Sequence, residues 1–208
     1  MLRLFPEPHV VTLAPGQRVE SLKAMDLPKG KVSVVVSNHF VRYALVPWSA
    51  ALSGAAEETA YVRHHFLRVY GERAKAWSYR ASPASRGAPR LCSAIDTAFL
   101  QEIKNLFAKG KSKLVSLQPE LMATFNRWRG KVPAAGAWLV MAEPERACIG
   151  LHAKGNWQAV HNARGEWLAL LERERHRIGG TLPDLVLLQS DPSLRMDAAG
   201  WKVQHLTA

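Results

Sequence analysis

Ser37, Asn38 and His39 form a polar triplet inside an otherwise apolar stretch, "VVVSNHFVRYALVPW" (residues 34–48). A Ser and a His two residues apart on an extended chain point the same way, as a serine nucleophile and its general base would. No third group that would orient the His is visible in the sequence. Ser and Asn side chains also bond nearby backbone, and Asn tolerates positive φ. We therefore predict that the triplet is a structural bend and not an active site.

The histidines and cysteines offer little for a metal ion. His64 and His65 are neighbours on a predicted helix, where they point about a third of a turn apart and do not readily chelate one metal. His152 and His161 could face each other across a turn at 153–155, with Cys148 nearby. No C-x-x-C or H-x-E motif accompanies them. We predict no metal site and no catalytic residues.

The net charge of +11 is concentrated in one segment. Residues 59–131 hold 14 Lys/Arg against 4 Asp/Glu, whereas the rest of the chain holds 14 against 13. Such a segment attracts nucleic acid, an anionic membrane face or an acidic protein, or is simply a solvated surface. A basic–aromatic–basic triplet at 127–129 would suit stacking on single-stranded nucleic acid or the negative end of a helix. The candidate interaction patch comprises Arg63, Arg68, Lys111, Lys113, Arg127 and Arg129.

Composition indicates an ordinary folded protein. Of the 208 residues, 48% are apolar and 22% are charged, which is typical of globular domains. No apolar run approaches the roughly 18 residues that cross a bilayer, and "MLRLFPEPHV" does not resemble a signal peptide. Two cysteines, Cys92 and Cys148, do not form a disulfide framework and are typical of a reducing compartment. We expect a cytoplasmic protein.

Hydrophobic periodicity divides the chain into two similar series of elements. In the first, strands are predicted at 8–13, 31–36, 40–46, 75–80 and 113–117, and helices at 57–70, 93–108 and after Pro119. The segments 31–36 and 40–46 are predicted to form a hairpin, 14–30 a connection and 81–90 a loop. In the second, strands are predicted at 137–142, 146–152, 156–161, 184–189 and 201–206, with a helix at 164–178.

Three strands followed by alternating helices and strands occur twice. This order predicts an α/β fold with tandem ribonuclease-H-like units in an actin-like arrangement, the second one shortened. The predicted units are residues 1–132 and 133–208.

Three segments carry a family resemblance: "VSVVVSNHFVRYALVPWS", "ETAYVRHHFLRVYGERAKAW" and "KLVSLQPELMATFN". Together they resemble the actin-like assembly proteins of type IV pili (the PilM type) and the cytoplasmic part of the type II secretion protein L. The resemblance runs from about residue 31 to 190. It implies a bacterial cytoplasmic scaffold beneath the inner membrane that holds short tails or domains of partner proteins. Two features depart from it: secretion L proteins continue into a membrane helix, and pilus-type members are longer with two complete lobes.

The resemblance raises the question of a nucleotide site. Actin-like ATPases hold phosphates on two turns that carry Asp and Gly, each after the first strand of a lobe. Here the first strand ends "HVVTLAPGQR", with Gly16 but no Asp, and the matching place in the second unit reads "LVMAEPERA". The late strand that precedes a Gly-Gly turn in such sites ends "LVLLQSDPS" here. We therefore expect no cofactor, with ATP and magnesium as the alternative.

Nuclease chemistry, the other activity of ribonuclease-H-like units, needs acidic residues on adjacent strands to hold two metal ions. The strands predicted at 8–13, 31–36, 40–46 and 113–117 contain no Asp or Glu. The favoured function is a non-enzymatic scaffold or adaptor that acts through protein–protein contacts at the inner membrane face. Two alternatives stay open: a nucleotide-binding actin-like ATPase, and a nucleic-acid-binding module that uses the basic segment 59–131.

Overall fold

A computed structural model describes residues 7–25, 27, 29–108, 110–143, 145–190, 198 and 200–206. The helices are α1 (Val19–Ala24), α2 (Ala55–Tyr70), α3 (Thr97–Ala108), α4 (Glu120–Trp128) and α5 (Trp167–Ile178). The first six strands are β1 (His9–Leu13), β2 (Gly30–Val36), β3 (Val41–Val46), β4 (Trp77–Ala81), β5 (Arg90–Asp96) and β6 (Ser112–Pro119). The remaining strands are β7 (Ala137–Glu143), β8 (Arg146–Ala153), β9 (Asn156–Arg164), β10 (Leu185–Ser190) and β11 (Lys202–His205).

A three-stranded parallel sheet has the order β1-β2-β6. Helix α1, which falls in the predicted connection 14–30, joins β1 to β2, so the turn at Gly16 leads into a helix and is not a hairpin. The β-branched run of β2 supplies three fully buried valines, Val32, Val34 and Val36. The predicted hairpin of 31–36 with 40–46 is wrong, because β2 pairs in this sheet and β3 belongs to another.

That second sheet is antiparallel, with the order β3-β5-β4. Helix α2 covers it and buries Val62 and Phe66 against it. Its middle strand, β5, includes residues that we predicted as the start of a helix. Helix α3 begins after it, where the Phe99 amide donates a hydrogen bond of 3.1 Å to Asp96 Oδ1. The helix predicted to begin at Ser93 therefore begins four residues later, at Thr97, and Ser93 lies in strand β5.

The five-stranded sheet of the C-terminal part has the order β11-β10-β7-β8-β9. Strands β7, β8 and β9 form an antiparallel meander, while β10 and β11 run parallel to β7. Helix α5 packs on this sheet around the fully buried Trp138 and Leu171. The predicted order of three strands, one helix and two further strands is confirmed.

The two parts of the chain share an apolar core. One cluster contains Val34 and Leu121 from the N-terminal part together with Leu139 and Leu187 from the C-terminal part. The α/β class is confirmed, and the boundary at residue 132 stays a prediction. Within the described ranges, no helix has the length and apolar character needed to cross a membrane.

Candidate functional site

The triplet at 37–39 is the corner where the chain passes from the parallel sheet to the antiparallel sheet. It begins a short 3-10 helix, Asn38–Phe40. Ser37 Oγ accepts a hydrogen bond of 3.0 Å from the His39 backbone amide, while the His39 ring lies on the exposed surface. The predicted bend is therefore present, and the absence of an active site at the triplet stays a prediction. We expected Asn38 to suit the bend because Asn tolerates a positive φ. That reason is wrong, because Asn38 does not have a positive φ.

Asn38 is instead a buried hydrogen-bonding centre. It is 1% exposed, and its Oδ1 accepts from the hydroxyl of Tyr43 at 2.6 Å and from the amide of Leu121 at 3.2 Å. Its Nδ2 donates to Glu120 Oε2 at 3.2 Å. The side chain therefore connects β2, β3 and the first turn of α4, and burial leaves water little access to replace these bonds.

The C-terminal part also holds this corner. Asn162, on β9, donates its Nδ2 to the carbonyl oxygens of Asn38 and Val41, at 2.7 and 3.1 Å. Arg146, on β8, donates to Asn162 Oδ1 at 3.2 Å and so orients that amide. The corner therefore fixes the five-stranded sheet against the other two sheets.

Two carboxylates, Glu120 at the start of α4 and Glu143 at the end of β7, lie where the N-terminal and C-terminal parts of the chain are in contact. We call this region, with Ser37, Asn38, Asn162 and Gln189, the seam. Ser37 Oγ donates 2.8 Å to Glu143 at the end of β7. Glu120 accepts from Gln189 of β10 at 3.0 Å, and Gln189 in turn accepts from Thr124 at 2.8 Å. Burial, followed by the nearby Glu143 carboxylate, raises the pKa of Glu120 to about 7, while hydrogen bonding from Asn38 acts in the opposite direction. The seam thus carries a carboxyl group that titrates near neutral pH.

A groove lies between the edge strands β4 and β6 and has a volume of about 910 Å³. Here "the groove" means the cleft lined by β4, β5, β6 and the facing sides of α3 and α4. Its apolar lining includes Leu91, Leu100, Leu114, Leu117 and Met122. Strand β4 is the outer strand of the antiparallel sheet and β6 the outer strand of the parallel sheet, so two unpaired strand edges border one cleft.

Val115 is a solvent-exposed apolar side chain in the groove. It is 44% exposed and lies at a register shift, where Val32 pairs with Leu114 and Ser33 pairs with Ser116. A bulge of this kind redirects a side chain and locally leaves the ladder. The cations of the lining are Arg80 and Lys104, and no described Asp or Glu lines the groove. The groove therefore combines apolar and polar side chains with a net positive charge among its described lining residues.

The six residues of the predicted basic patch are all exposed but lie on separate elements. Arg63 and Arg68 are on α2, which covers the antiparallel sheet. Lys111 directly precedes β6 and Lys113 is its second residue, while Arg127 is near the end of α4 and Arg129 lies just beyond it. The basic segment is therefore distributed over several elements, and its role as one patch stays a prediction.

The histidine pair considered for a metal ion does not come together. His152 pairs in register with Trp157 and packs on the rings of Phe125 and Trp157. His161 lies opposite Ile149 and contacts Arg173 of α5. Among the described residues, no group of three His, Cys, Asp or Glu could hold a metal ion.

Glu120, Gln189 and Asn162 were not predicted as a group, because they are brought together from α4, β10 and β9. A polar residue among apolar ones was the available signal: Glu120 is the one acidic residue between Glu102 and Glu143, and it follows a strand directly. The sequence gives no comparable signal for the groove. The residues that line it follow the usual hydrophobic periodicity of their own strands and helices, and none of them is unusual in type. The turn residues 144 and 191–193, part of the nucleotide argument, lie outside the described residues.

Solved structures show which fold this is. The chain aligns with the cytoplasmic domain of EpsL, an inner membrane component of the type II secretion system of Vibrio cholerae, over 91% of this chain and 74% of that one, with a TM-score of 0.58 and 11% identity. It aligns with a PilM-PilN type IV pilus biogenesis complex over 90% of this chain and 74% of that chain, with a TM-score of 0.61 and 14% identity.

A third structure, a Bacteroides thetaiotaomicron protein with an actin-like ATPase fold and unknown function, matches 79% of this chain and 60% of its own at 6% identity, with a TM-score of 0.51. No protein-family model matches the sequence, and no curated protein does so either. At sequence identities this low, the structural alignments show a shared fold alone. The predicted actin-like arrangement, and the resemblance to the EpsL and PilM type at the level of fold, are confirmed.

Proposed function

We propose that this protein is a non-enzymatic scaffold that binds an extended segment of a partner protein in the groove. The observation that carries the proposal is that the outer strands β4 and β6 of two different sheets both border the groove. The exposed Val115 side chain lies in the same groove. Unpaired edges offer rows of N–H and C=O groups that another strand can satisfy. An occupant of the groove would also bury the exposed Val115 side chain, and removing apolar area from water stabilises the complex.

The mode of binding is addition of a strand. Main-chain hydrogen bonds to the edge supply affinity, and alternate side chains of the segment enter the apolar lining and supply specificity. The part of β6 that lines the groove, residues 114–119, is six residues long, and at about 3.3 Å per residue it spans roughly 20 Å. A partner segment of about six residues therefore fills the groove.

Charge restricts the composition of that segment. Arg80 and Lys104 lie at the groove, and no described acidic side chain opposes them. A basic segment would leave these cations unpaired or repelled, whereas a neutral or acidic one gains attraction. The expected partner segment is therefore extended, apolar at alternate positions and neutral or acidic overall.

The similar structures suggest the kind of assembly. One contains PilM with PilN from type IV pilus biogenesis, and another is the cytoplasmic domain of a type II secretion component. On this basis the partner is a component of a pilus or secretion assembly, and the protein works in the cytoplasm at the inner membrane face. Fold likeness and the groove geometry together support this.

We propose further that the scaffold binds its partner without a bound nucleotide. Glu143, at the end of the first strand of the five-stranded sheet, binds Ser37 across the seam, and Glu120 lies close enough to it for their charges to interact. Two carboxylates in this position would repel phosphates unless a metal intervened. The first-strand turn at Gly16, considered for the other phosphate contact, leads into α1. These contacts favour the scaffold over the ATPase alternative.

The test is selection of binding peptides from a random twelve-residue display library, followed by affinity measurements with single variants. Val115→Arg places a charged side chain on the edge of β6. Burying a Val contributes about 1.5–3 kcal/mol, so its loss should weaken binding by roughly tenfold or more. The matched control is Val69→Arg, because Val69 is 56% exposed on α2 and does not line the groove.

Selected peptides should bind the wild type and Val69→Arg equally and Val115→Arg much more weakly. They should also show apolar residues at alternate positions with a neutral or acidic balance. Peptides that bind Val115→Arg as tightly as the wild type would place recognition elsewhere and contradict the proposal. A library that yields no binder at micromolar affinity would contradict it as well.

A further inference from the structure

Two lysine-rich segments meet at the amino-terminal end of the parallel sheet. Residues 23–31 carry three lysines and one aspartate, and residues 109–113 carry three lysines. The Gly30 amide donates a hydrogen bond of 3.3 Å to the Lys111 carbonyl, and Gly30 pairs with Ser112 in the β2–β6 register. Among the described residues of these two segments, which are about 80 residues apart in sequence, Lys23, Lys29 and Lys111 therefore line one surface.

Between them lies a second cleft, of about 560 Å³, which we call the lysine-rimmed pocket. Its rim carries the exposed Lys23, Lys29 and Lys111. Its apolar lining is formed by Met25, Leu27, Leu106 and Phe107. Met25 is 37% exposed, and no Asp or Glu among the described residues lines the pocket. The surface combines positive charge with an accessible apolar floor.

This pocket is separate from the features above. No residue lines both the pocket and the groove. It lies where β2 and β6 begin, whereas the seam lies where they end, and the seven residues of β2 span roughly 23 Å. Its ligand can therefore bind without the seam or the groove taking part.

The chemistry of the pocket matches the surface of an anionic bilayer. Lysine ammonium groups attract lipid phosphates, and their aliphatic stems can lie along apolar surface while the charge stays at the headgroups. Met25 and Leu27 provide apolar contact at the boundary of the acyl chains. Single-stranded nucleic acid would instead favour exposed aromatic rings for stacking, and the one aromatic residue of the described lining, Phe107, is 7% exposed.

We propose that the lysine-rimmed pocket binds the headgroups of anionic phospholipids, so that the protein attaches directly to a negatively charged membrane surface. This attachment does not depend on a partner protein in the groove. Each lysine near an anionic surface strengthens binding by roughly fivefold. Replacing all three rim lysines should therefore weaken binding by roughly 100-fold.

The experiment is sedimentation with vesicles of phosphatidylcholine alone and of phosphatidylcholine with 30 mol% phosphatidylglycerol. The test variant is Lys23→Gln/Lys29→Gln/Lys111→Gln. The control, Arg63→Gln/Arg68→Gln/Lys154→Gln, removes the same charge from exposed residues that do not line the pocket. A further variant, Met25→Gln, reduces the apolar contact, and its loss of affinity should be roughly threefold or more.

The wild type should sediment with the anionic vesicles and not with the neutral ones, and 500 mM salt should release it. The control triple should retain most of this binding and the lysine triple should lose it. Equal loss in both triples would mean that net charge alone acts, and would overturn the proposal. Tighter binding to a DNA duplex than to the anionic vesicles, lost in the same lysine triple, would overturn it in favour of nucleic acid. Unchanged vesicle binding in Met25→Gln would contradict the proposed contact of Met25 with the acyl boundary.

Discussion

The Glu120 carboxyl should make the stability of this protein depend on pH near neutrality. Burial, followed by the nearby Glu143 carboxylate, raises the pKa of Glu120 from an ordinary 4.5 to about 7, and the hydrogen bond from Asn38 only partly opposes this. The folded state therefore holds this proton more tightly than the unfolded state does. The stabilising contribution of the proton bound to Glu120 is fully present below about pH 4.5 and is lost as the pH rises through about 7.

The magnitude follows from the interval between the two pKa values. At about 1.4 kcal/mol per pH unit, the interval from 4.5 to about 7 corresponds to about 3 kcal/mol of unfolding free energy. The substitution Glu120→Gln removes the titration and keeps an amide of the same shape, which resembles the neutral carboxyl. Relative to this variant, the wild type should lose most of that 3 kcal/mol between pH 5 and pH 8.5.

Urea unfolding followed by tryptophan fluorescence measures this difference. The difference between wild type and Glu120→Gln is the informative quantity, because titrating groups that do not interact with Glu120 contribute equally to both. The control is Glu145→Gln, which removes an exposed carboxylate close to Glu143. We expect Glu145→Gln to follow the wild-type pH profile. Parallel profiles for the wild type and Glu120→Gln would refute the reasoning, since they would mean that the Glu120 carboxyl titrates alike in both states.

Three further predictions follow from the core and the seam. Asn38→Ala should cost about 3 kcal/mol in urea unfolding, because it leaves the Tyr43 hydroxyl and the Leu121 amide buried without their acceptor; a cost below 1 kcal/mol would contradict this. Gly150→Ala should cost about 1–3 kcal/mol, because a Cβ there would lie 2.5 Å from the Trp157 ring; an unchanged unfolding midpoint would contradict it. Millimolar Mg-ATP should leave the melting temperature unchanged, whereas ligand at about 100 times its Kd would add roughly 2.7 kcal/mol and raise the melting temperature by roughly 5–10 °C.

The five-stranded sheet could be predicted from the sequence because its signals are local. Strands β7, β8 and β9 are joined by short turns, and residues such as "AWLVMA" and "ACIGL" are apolar and fit a buried pleated surface. Helix α5 ends at Gly179, which has a positive φ that glycine adopts without strain. Propensity, periodicity and turn chemistry agree there, and that agreement made the prediction reliable.

The antiparallel sheet could not be predicted in the same way. Strand β5, "RLCSAID", is poor in strongly strand-forming residues and is ordered by lying between β3 and β4. The segment "SNH" looks like a turn in either case, so the sequence does not distinguish a hairpin from a passage between two sheets. That choice is made by contacts of Asn38 with Tyr43, Leu121 and Asn162, which lie up to 124 residues away.

The groove likewise depends on contacts between residues that are far apart in the sequence. Its lining runs from Val36 to Asn126 and comes from strands and helices of two sheets. Each of these residues has a sufficient explanation in its own element, so none of them indicates a binding surface on its own. The exposed Val115 becomes informative only once β6 is known to be an outer strand.

Hydrogen exchange of the protein with a peptide selected for binding is the most direct test of the proposed scaffold function. If the peptide adds a strand in the groove, amides of β6 at 114–118 or of β4 at 78–81 should exchange at least tenfold more slowly in the complex, because they gain hydrogen-bond acceptors. Amides of α5 should be unchanged and serve as the internal reference. Protection confined to α5, to the seam or to the lysine-rimmed pocket would contradict the account.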